Sequence, residues 1–84
     1  MGLRQLRYFI AIIEHGGFSR AASELGRTQQ ALSKAMHALE EELGVRLLDR
    51  NSQVASPTAF GKLLLEHGRA IESEARSFRT KLSQ

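Results

Sequence analysis

The side chains with the clearest chemical potential form a polar group near the middle of the chain. Gln29 and Ser33 are four residues apart, as are Gln30 and Lys34, so a helix would carry all four on one face. Their amide, hydroxyl and ammonium groups suit base edges in the DNA major groove, where glutamine pairs with adenine and lysine with guanine. An ordinary solvated face is more often rich in glutamate and lysine, as at residues 40–42. The pattern therefore predicts a base-reading surface.

A short helix is expected before this surface, at residues 20–25. Ser19 is a suitable N-cap, and Gly26 stands where a left-handed residue would end the helix. Ala21 and Ala22 are small enough for a second helix to cross closely. These features predict the first helix of a helix-turn-helix.

The surface itself lies on a predicted helix over residues 29–43, with Thr28 as its N-cap and Gly44 as its end. One apolar stripe runs along this helix and consists of Leu32, Ala35, Met36, Leu39 and Leu43. The two helices together predict a helix-turn-helix from about residue 18 to residue 39. The second helix would enter the major groove.

Two further elements would complete a small, mainly α domain. An amphipathic first helix, ending at residues 16–17, is marked by Leu3, Leu6, Phe9, Ile10 and Ile13. After the helix-turn-helix, residues 45–48 favour a short strand and Val54 a second, with a turn at Asn51, Ser52 and Gln53. Such a two-stranded hairpin would form a wing.

A last helix is predicted from Thr58 to Leu82, about 37 Å long at ~1.5 Å per residue. Its heptad-like seam consists of Leu64, Gly68, Ile71, Ala75, Phe78 and Leu82. Because so small a core cannot cover this length, we expect a second copy of the chain to cover the seam. The alternative is a helix that packs on its own domain at its start and frays afterwards.

Composition narrows the class of protein. The chain has 84 residues, no cysteine and a net charge of +3, which fits a single cytoplasmic domain with a polyanionic partner. No apolar run is long enough for a signal peptide or a membrane span. His15, His37 and His67 lack metal-ligand spacing, and no nucleophile–base pair, phosphate loop or paired carboxylates are present. We therefore expect no enzyme, no metal and no cofactor in this chain.

These motifs resemble the N-terminal DNA-binding domain of the LysR-type transcriptional regulators along nearly the whole chain. The segments that carry the resemblance are LRQLRYF at 3–9, GFSRAA at 17–22, Gln29 with ALSK at 31–34, LEEELGVRLLDR at 39–50 and TAFG at 58–61. The resemblance implies a winged helix-turn-helix at 1–57 and a linker helix at 58–84 that pairs antiparallel between two subunits. It also implies a C-terminal domain for a small-molecule effector, absent from this chain, and possible tetramers of the full-length protein.

The resemblance implies base contacts for Gln29, Ser33 and Lys34, a phosphate contact for Thr28, and a place near the minor groove or its flanking backbone for Arg50 and the wing. The other site residues follow from the chain's own pattern. The base-reading residues are Gln29, Gln30, Ser33 and Lys34. The residues expected at the DNA backbone are Arg20, Arg27, Thr28, His37, Arg50 and Thr58, and those of the wing are Asn51, Ser52 and Gln53. His37 is equally consistent with a plain solvated histidine.

Three positions depart from the family pattern. Gln30 stands where the family usually has proline, which adds a possible base reader. Arg27 replaces an apolar residue and is expected to extend toward phosphate. The wing lacks the usual arginines, which contribute strongly in minor grooves, so we expect it to contribute less than usual.

Two other interpretations stay open from the sequence. The arginine-poor wing and the heptad seam are also typical of a protein-interaction and dimerisation module with weak DNA binding. Molybdate-responsive regulators have a similar winged domain, although the third helix and the residues after it fit the LysR type better.

Overall fold

The computed structural model describes residues 1–49 and 54–84. Its helices are α1 (Leu3–Glu14), α2 (Phe18–Leu25), α3 (Gln29–Leu43) and α4 (Ala59–Leu82). Two short strands, β1 (Leu48–Asp49) and β2 (Ser56–Pro57), pair antiparallel, with Leu48 opposite Pro57 and Asp49 opposite Ser56. The described architecture confirms the expected mainly α, winged helix-turn-helix. Arg50 and the predicted turn at Asn51, Ser52 and Gln53 lie outside the described residues.

Helix α1 is the centre of the core because α2, α3 and α4 all pack on it. Phe9 and Ile12 have no exposed surface, and neither do Leu32, Met36 and Leu39 on α3. Each such side chain contributes about 1.5–3 kcal/mol through its removal from water. Helix α1 is buried on more than one face, since Ile10 and Ala11 are also covered. The core therefore fixes α2 and α3 relative to each other through α1.

Local signals set the end of α2 and both ends of α3 as predicted. The Thr28 hydroxyl accepts the Ala31 N–H at 3.0 Å, and Gly26 and Gly44 adopt left-handed φ angles of 64° and 71°. The predicted cap of α2 was wrong. That helix begins at Phe18 with Gly17 as its N-cap, so Ser19 lies inside the first turn.

The second strand also differs from the prediction, because it is formed by residues 56–57 and not at Val54. Its place is fixed by the start of α4. The Thr58 N–H donates to the Leu47 carbonyl at 2.9 Å, directly after the Leu48–Pro57 pair. Proline is acceptable in a two-stranded sheet at a position where no N–H is needed.

Helix α4 packs on its own domain at its start and extends beyond it. Gly61 and Gly68 are buried, and Leu64 and Leu65 pack against the core. The molecule therefore measures 46 × 26 × 19 Å, and the helix continues to Leu82. Within the described residues, none of the helices combines the length and apolar content needed to cross a membrane.

The two buried glycines of α4 should respond differently to a methyl group. In Gly61→Ala the new Cβ would lie 2.1 Å from the Leu47 carbonyl oxygen, a backbone atom that cannot rotate away. We expect a loss of about 3 kcal/mol in the free energy of unfolding, the upper part of the range for overpacking. In Gly68→Ala the methyl would lie 2.6 Å from Cδ1 of the buried Leu6, a side-chain end that can shift more easily than backbone.

Gly68→Ala also gains about 1 kcal/mol of helix propensity, so its net change should stay within about 1 kcal/mol. Urea unfolding of both variants measures the difference. Equal losses would contradict the rigid contact between α4 and the Leu47 backbone.

Candidate nucleic-acid interface

The first turns of α3 present the predicted polar surface. Gln29, Gln30 and Lys34 are exposed and Ser33 is half-buried, while Leu32 on the opposite side is fully buried. The Thr28 cap holds the first turn in place. Its oxygen accepts there, and among residues 1–49 and 54–84 no bond uses its hydroxyl hydrogen, which stays available as a donor. The structure thus brings all four predicted base-reading residues to one accessible helix face.

A surface groove of about 600 Å³ joins this face to α2. It is lined by His15, Gly16, Gly17, Phe18, Ser19, Arg20, Gln29 and Val54. The groove brings exposed Arg20 beside Gln29, so a predicted backbone contact and a predicted base reader share one depression.

The N-terminus of α2 opens into the same groove. Gly17 caps this helix without a side-chain hydrogen bond, which leaves the first N–H groups available. A helix N-terminus attracts anions through these donors and the helix dipole. The groove therefore combines a cationic side chain with a feature that favours phosphate.

The other predicted backbone residues are more dispersed. Arg27 is exposed in the turn between α2 and α3. His37 is exposed too, but it lines a separate depression with Glu40, Glu41 and Arg46. Two carboxylates beside it make that depression less favourable for a phosphate than the groove at Arg20.

Thr58 has an internal role in the structure. Its hydroxyl donates to the Arg46 carbonyl at 2.6 Å and accepts the Gly61 N–H at 3.1 Å. The single hydroxyl hydrogen is therefore used within the chain and is not available for a phosphate. Arg50, Asn51, Ser52 and Gln53 lie outside the described residues.

Glu40 is the residue whose importance the sequence did not reveal. We expected residues 40–42 to form a solvated acidic face, but Glu40 is only 7% exposed. Its carboxylate accepts the Leu47 and Leu48 N–H groups at 2.7 and 3.3 Å, and Arg46 lies 4.0 Å away. The sequence did hold one sign that Glu40 could be buried. It directly follows Leu39, which belongs to the predicted apolar stripe, and a residue at the edge of such a stripe can be covered by the segment that follows the helix.

Solved structures place this geometry in a class, the winged helix-turn-helix DNA-binding domains. The BenM DNA-binding domain bound to catB site 1 DNA matches with a TM-score of 0.95 and 35% identity over 99% of this chain and 92% of that one. The full-length regulator LysG from Corynebacterium glutamicum, with bound effector Arg, matches with a TM-score of 0.90 and 30% identity. That match covers 99% of this chain and 28% of LysG.

The family follows from the sequence comparison. Residues 3–62 match the model of the bacterial regulatory helix-turn-helix proteins of the lysR family. The chain therefore belongs to this family and is the DNA-binding part of a LysR-type regulator. This result confirms the resemblance.

A curated relative adds detail at the level of function. The SDS degradation transcriptional activation protein of a Pseudomonas species is 50% identical over 82 residues, which is 98% of this chain and 27% of the relative. The chain thus spans about a quarter of that relative's length. The expectation of a non-enzymatic protein is confirmed by the family, whose matched members are transcription regulators.

The acceptor role of Glu40 leads to a stability prediction. Glu40→Ala would leave the buried Leu47 and Leu48 N–H groups without this acceptor, at about 1–3 kcal/mol for each unsatisfied group. We expect urea unfolding to show a loss of about 3 kcal/mol and hydrogen exchange to accelerate at these two amides.

Glu41→Ala is the matched control, since Glu41 is exposed and adjacent. Its effect should stay within about 0.5 kcal/mol. Similar losses in both variants would show that the acidic run acts only through its general charge.

Proposed function

We propose that this chain binds double-stranded DNA in a sequence-specific manner, with the N-terminal half of α3 in the major groove. The observation that carries the proposal is the accessible face of Gln29, Gln30, Ser33 and Lys34. On the other side of the same helix, Leu32, Met36 and Leu39 are fully buried in the core. Such side chains supply both donors and acceptors to base edges. A helix fixed by its core presents them in one orientation.

Phosphate contacts would position α3 in the groove of the DNA. Arg20 and the open N-terminus of α2 lie beside Gln29 in the same depression, and Thr28 and Arg27 flank the start of α3. Backbone contacts of this kind set the register of a protein on the duplex, whereas base contacts specify the sequence. Arg50 and wing residues Asn51, Ser52 and Gln53 keep the flanking role that the resemblance gives them.

The proposal extends to assembly and regulation of the full-length protein. We infer that two copies pair through the linker helix, residues 58–84, and that each places one winged domain, residues 1–57, on half of a dyad-symmetric site. LysG carries a bound effector in its full-length form, and we assign effector binding here to a C-terminal domain outside this chain. Because a bacterial chromosome lies in the cytoplasm, the proposed DNA partner places the protein there.

Random-site selection with this chain tests the proposal directly. We expect an enriched motif with two related half-sites, about 34 Å or a multiple apart, because a symmetric dimer binds successive turns of the groove. The selection should be run at moderate salt, where non-specific phosphate binding is weakened. A selection that enriches no motif would favour the protein-interaction module.

Base contacts and phosphate contacts can be distinguished by comparing the affinity of each variant for the selected site with its affinity for random DNA. Lys34→Ala should weaken binding to the selected site about tenfold or more and relax its preferred base, since a good base contact is worth about 1–3 kcal/mol of discrimination. Arg20→Ala should weaken both DNAs equally and reduce the slope of log K against log salt by about 0.9.

Arg79→Ala removes the same charge from an exposed position in the last turn of α4. It serves as the control and should leave base preference and the salt slope unchanged. Equal losses of Lys34→Ala on both DNAs would contradict a base-reading role for Lys34.

A further inference from the structure

The polar face of α3 has a centre, which is set by the way the helix packs. Leu32, Met36 and Leu39 are fully buried, and together they define the direction in which α3 faces the core. At about 100° per residue, Gln30 and Lys34 both lie within about 30° of the opposite direction. These two side chains therefore stand farthest from the body of the domain.

Gln29 and Ser33 lie at one edge of the same face. They are about 130° and 90° away from the direction opposite the core, and Ser33 is half-buried. Gln29 also lines the groove that holds Arg20 and the N-terminus of α2. Because that groove suits the DNA backbone, Gln29 stands at the border between bases and phosphates.

The two central side chains are free to reach a partner. Both are exposed, and within the described part of the chain neither the Gln30 amide nor the Lys34 ammonium takes part in a hydrogen bond or salt bridge. The Gln30 N–H belongs to the first helical turn, where no intrahelical acceptor exists. Replacing the Gln30 side chain should therefore leave the fold unchanged.

The line through the centre of this face ends in a negative charge. Glu41 is exposed and follows Lys34 by seven residues, about 10 Å along the axis, in nearly the same direction from the core. A carboxylate is repelled by the phosphates of DNA. Base reading along this line is therefore confined to Gln30 and Lys34.

The chemistry of the two central residues selects different bases. A glutamine amide donates to N7 and accepts from the N6 amino group of adenine, whereas a lysine ammonium donates to O6 and N7 of guanine. Four residues of helix span about 6 Å, and successive bases rise by about 3.4 Å. The two bases should therefore be about two base pairs apart.

We propose that Gln30 and Lys34 are the central base readers of α3, and that each half-site carries an adenine for Gln30 and a guanine for Lys34 about two base pairs apart. This inference rests on the proposed DNA binding and names the bases that are recognised. It gives Gln29 and Ser33 a secondary role at the border of the face.

Random-site selection with paired variants tests which glutamine is central. Gln30→Ala should lose the preference for adenine at one position of each half-site and keep the guanine. Gln29→Ala is the matched control, because it removes the same amide one residue earlier, and it should keep both bases. Lys34→Ala should relax the guanine and keep the adenine.

Base analogues test the individual contacts on the selected site. Replacing the adenine of each half-site with 7-deazaadenine removes the N7 acceptor and should weaken binding of the wild-type chain about tenfold. Gln30→Ala should bind both DNAs equally, whereas Gln29→Ala should remain sensitive to the replacement. The same replacement at an adenine between the half-sites is the DNA control and should have little effect.

The outcomes separate this inference from the broader function. Loss of the adenine preference and of the N7 effect in Gln30→Ala, and in that glutamine variant alone, supports it. A selected motif without the adenine and guanine pair, or one that Gln29→Ala changes and Gln30→Ala does not, overturns it while sequence-specific binding stands. A wild-type chain that enriches no motif overturns both.

Discussion

The backbone from Arg46 to Leu48 lies between two helices, and its polar groups are satisfied by both. On one side, the Glu40 carboxylate of α3 accepts the Leu47 and Leu48 N–H groups. On the other, Thr58 at the start of α4 donates to the carbonyls of Arg46 and Leu47. Buried backbone groups are costly when unpaired, so neither helix can shift without breaking bonds to this segment. The segment is therefore the joint that holds α3 and α4 in a fixed relation.

This joint requires close approach as well as hydrogen bonds. Gly61 lies so near the Leu47 carbonyl that no side chain fits, and Thr58 caps the same first turn. The first turn of α4 is thus seated directly on the backbone that Glu40 holds. Helix α1 packs on both α3 and α4, so the core also fixes the two helices that the joint connects. A second copy attached to α4 would inherit a defined orientation relative to the reading helix.

The sequence was sufficient at both ends of α3, where local interactions set the structure. Helix α3 begins after Thr28 and ends at Gly44 as predicted, because an N-cap hydroxyl and a left-handed glycine act within one turn. It was insufficient where distant segments decide. The position of β2 depends on the Thr58–Leu47 hydrogen bond, and the burial of Glu40 depends on a segment seven residues later. The heptad pattern could not show that α1 covers Gly68, which rotates the free face of α4 toward Phe60 and Leu63.

The two surfaces with proposed partners lie on different helices, and this separation has a functional consequence. The polar face of α3 carries the proposed base-reading groups, so Gln30 or Lys34 can vary without altering α4. In the proposed dimer, α4 and the joint would determine how far apart the two α3 helices stand, which is a matter of geometry and not of base chemistry. The proposed function therefore assigns sequence preference and half-site spacing to separate residues. Glu40 is the exception, because its side chain belongs to the reading helix while its hydrogen bonds hold the segment on which α4 rests.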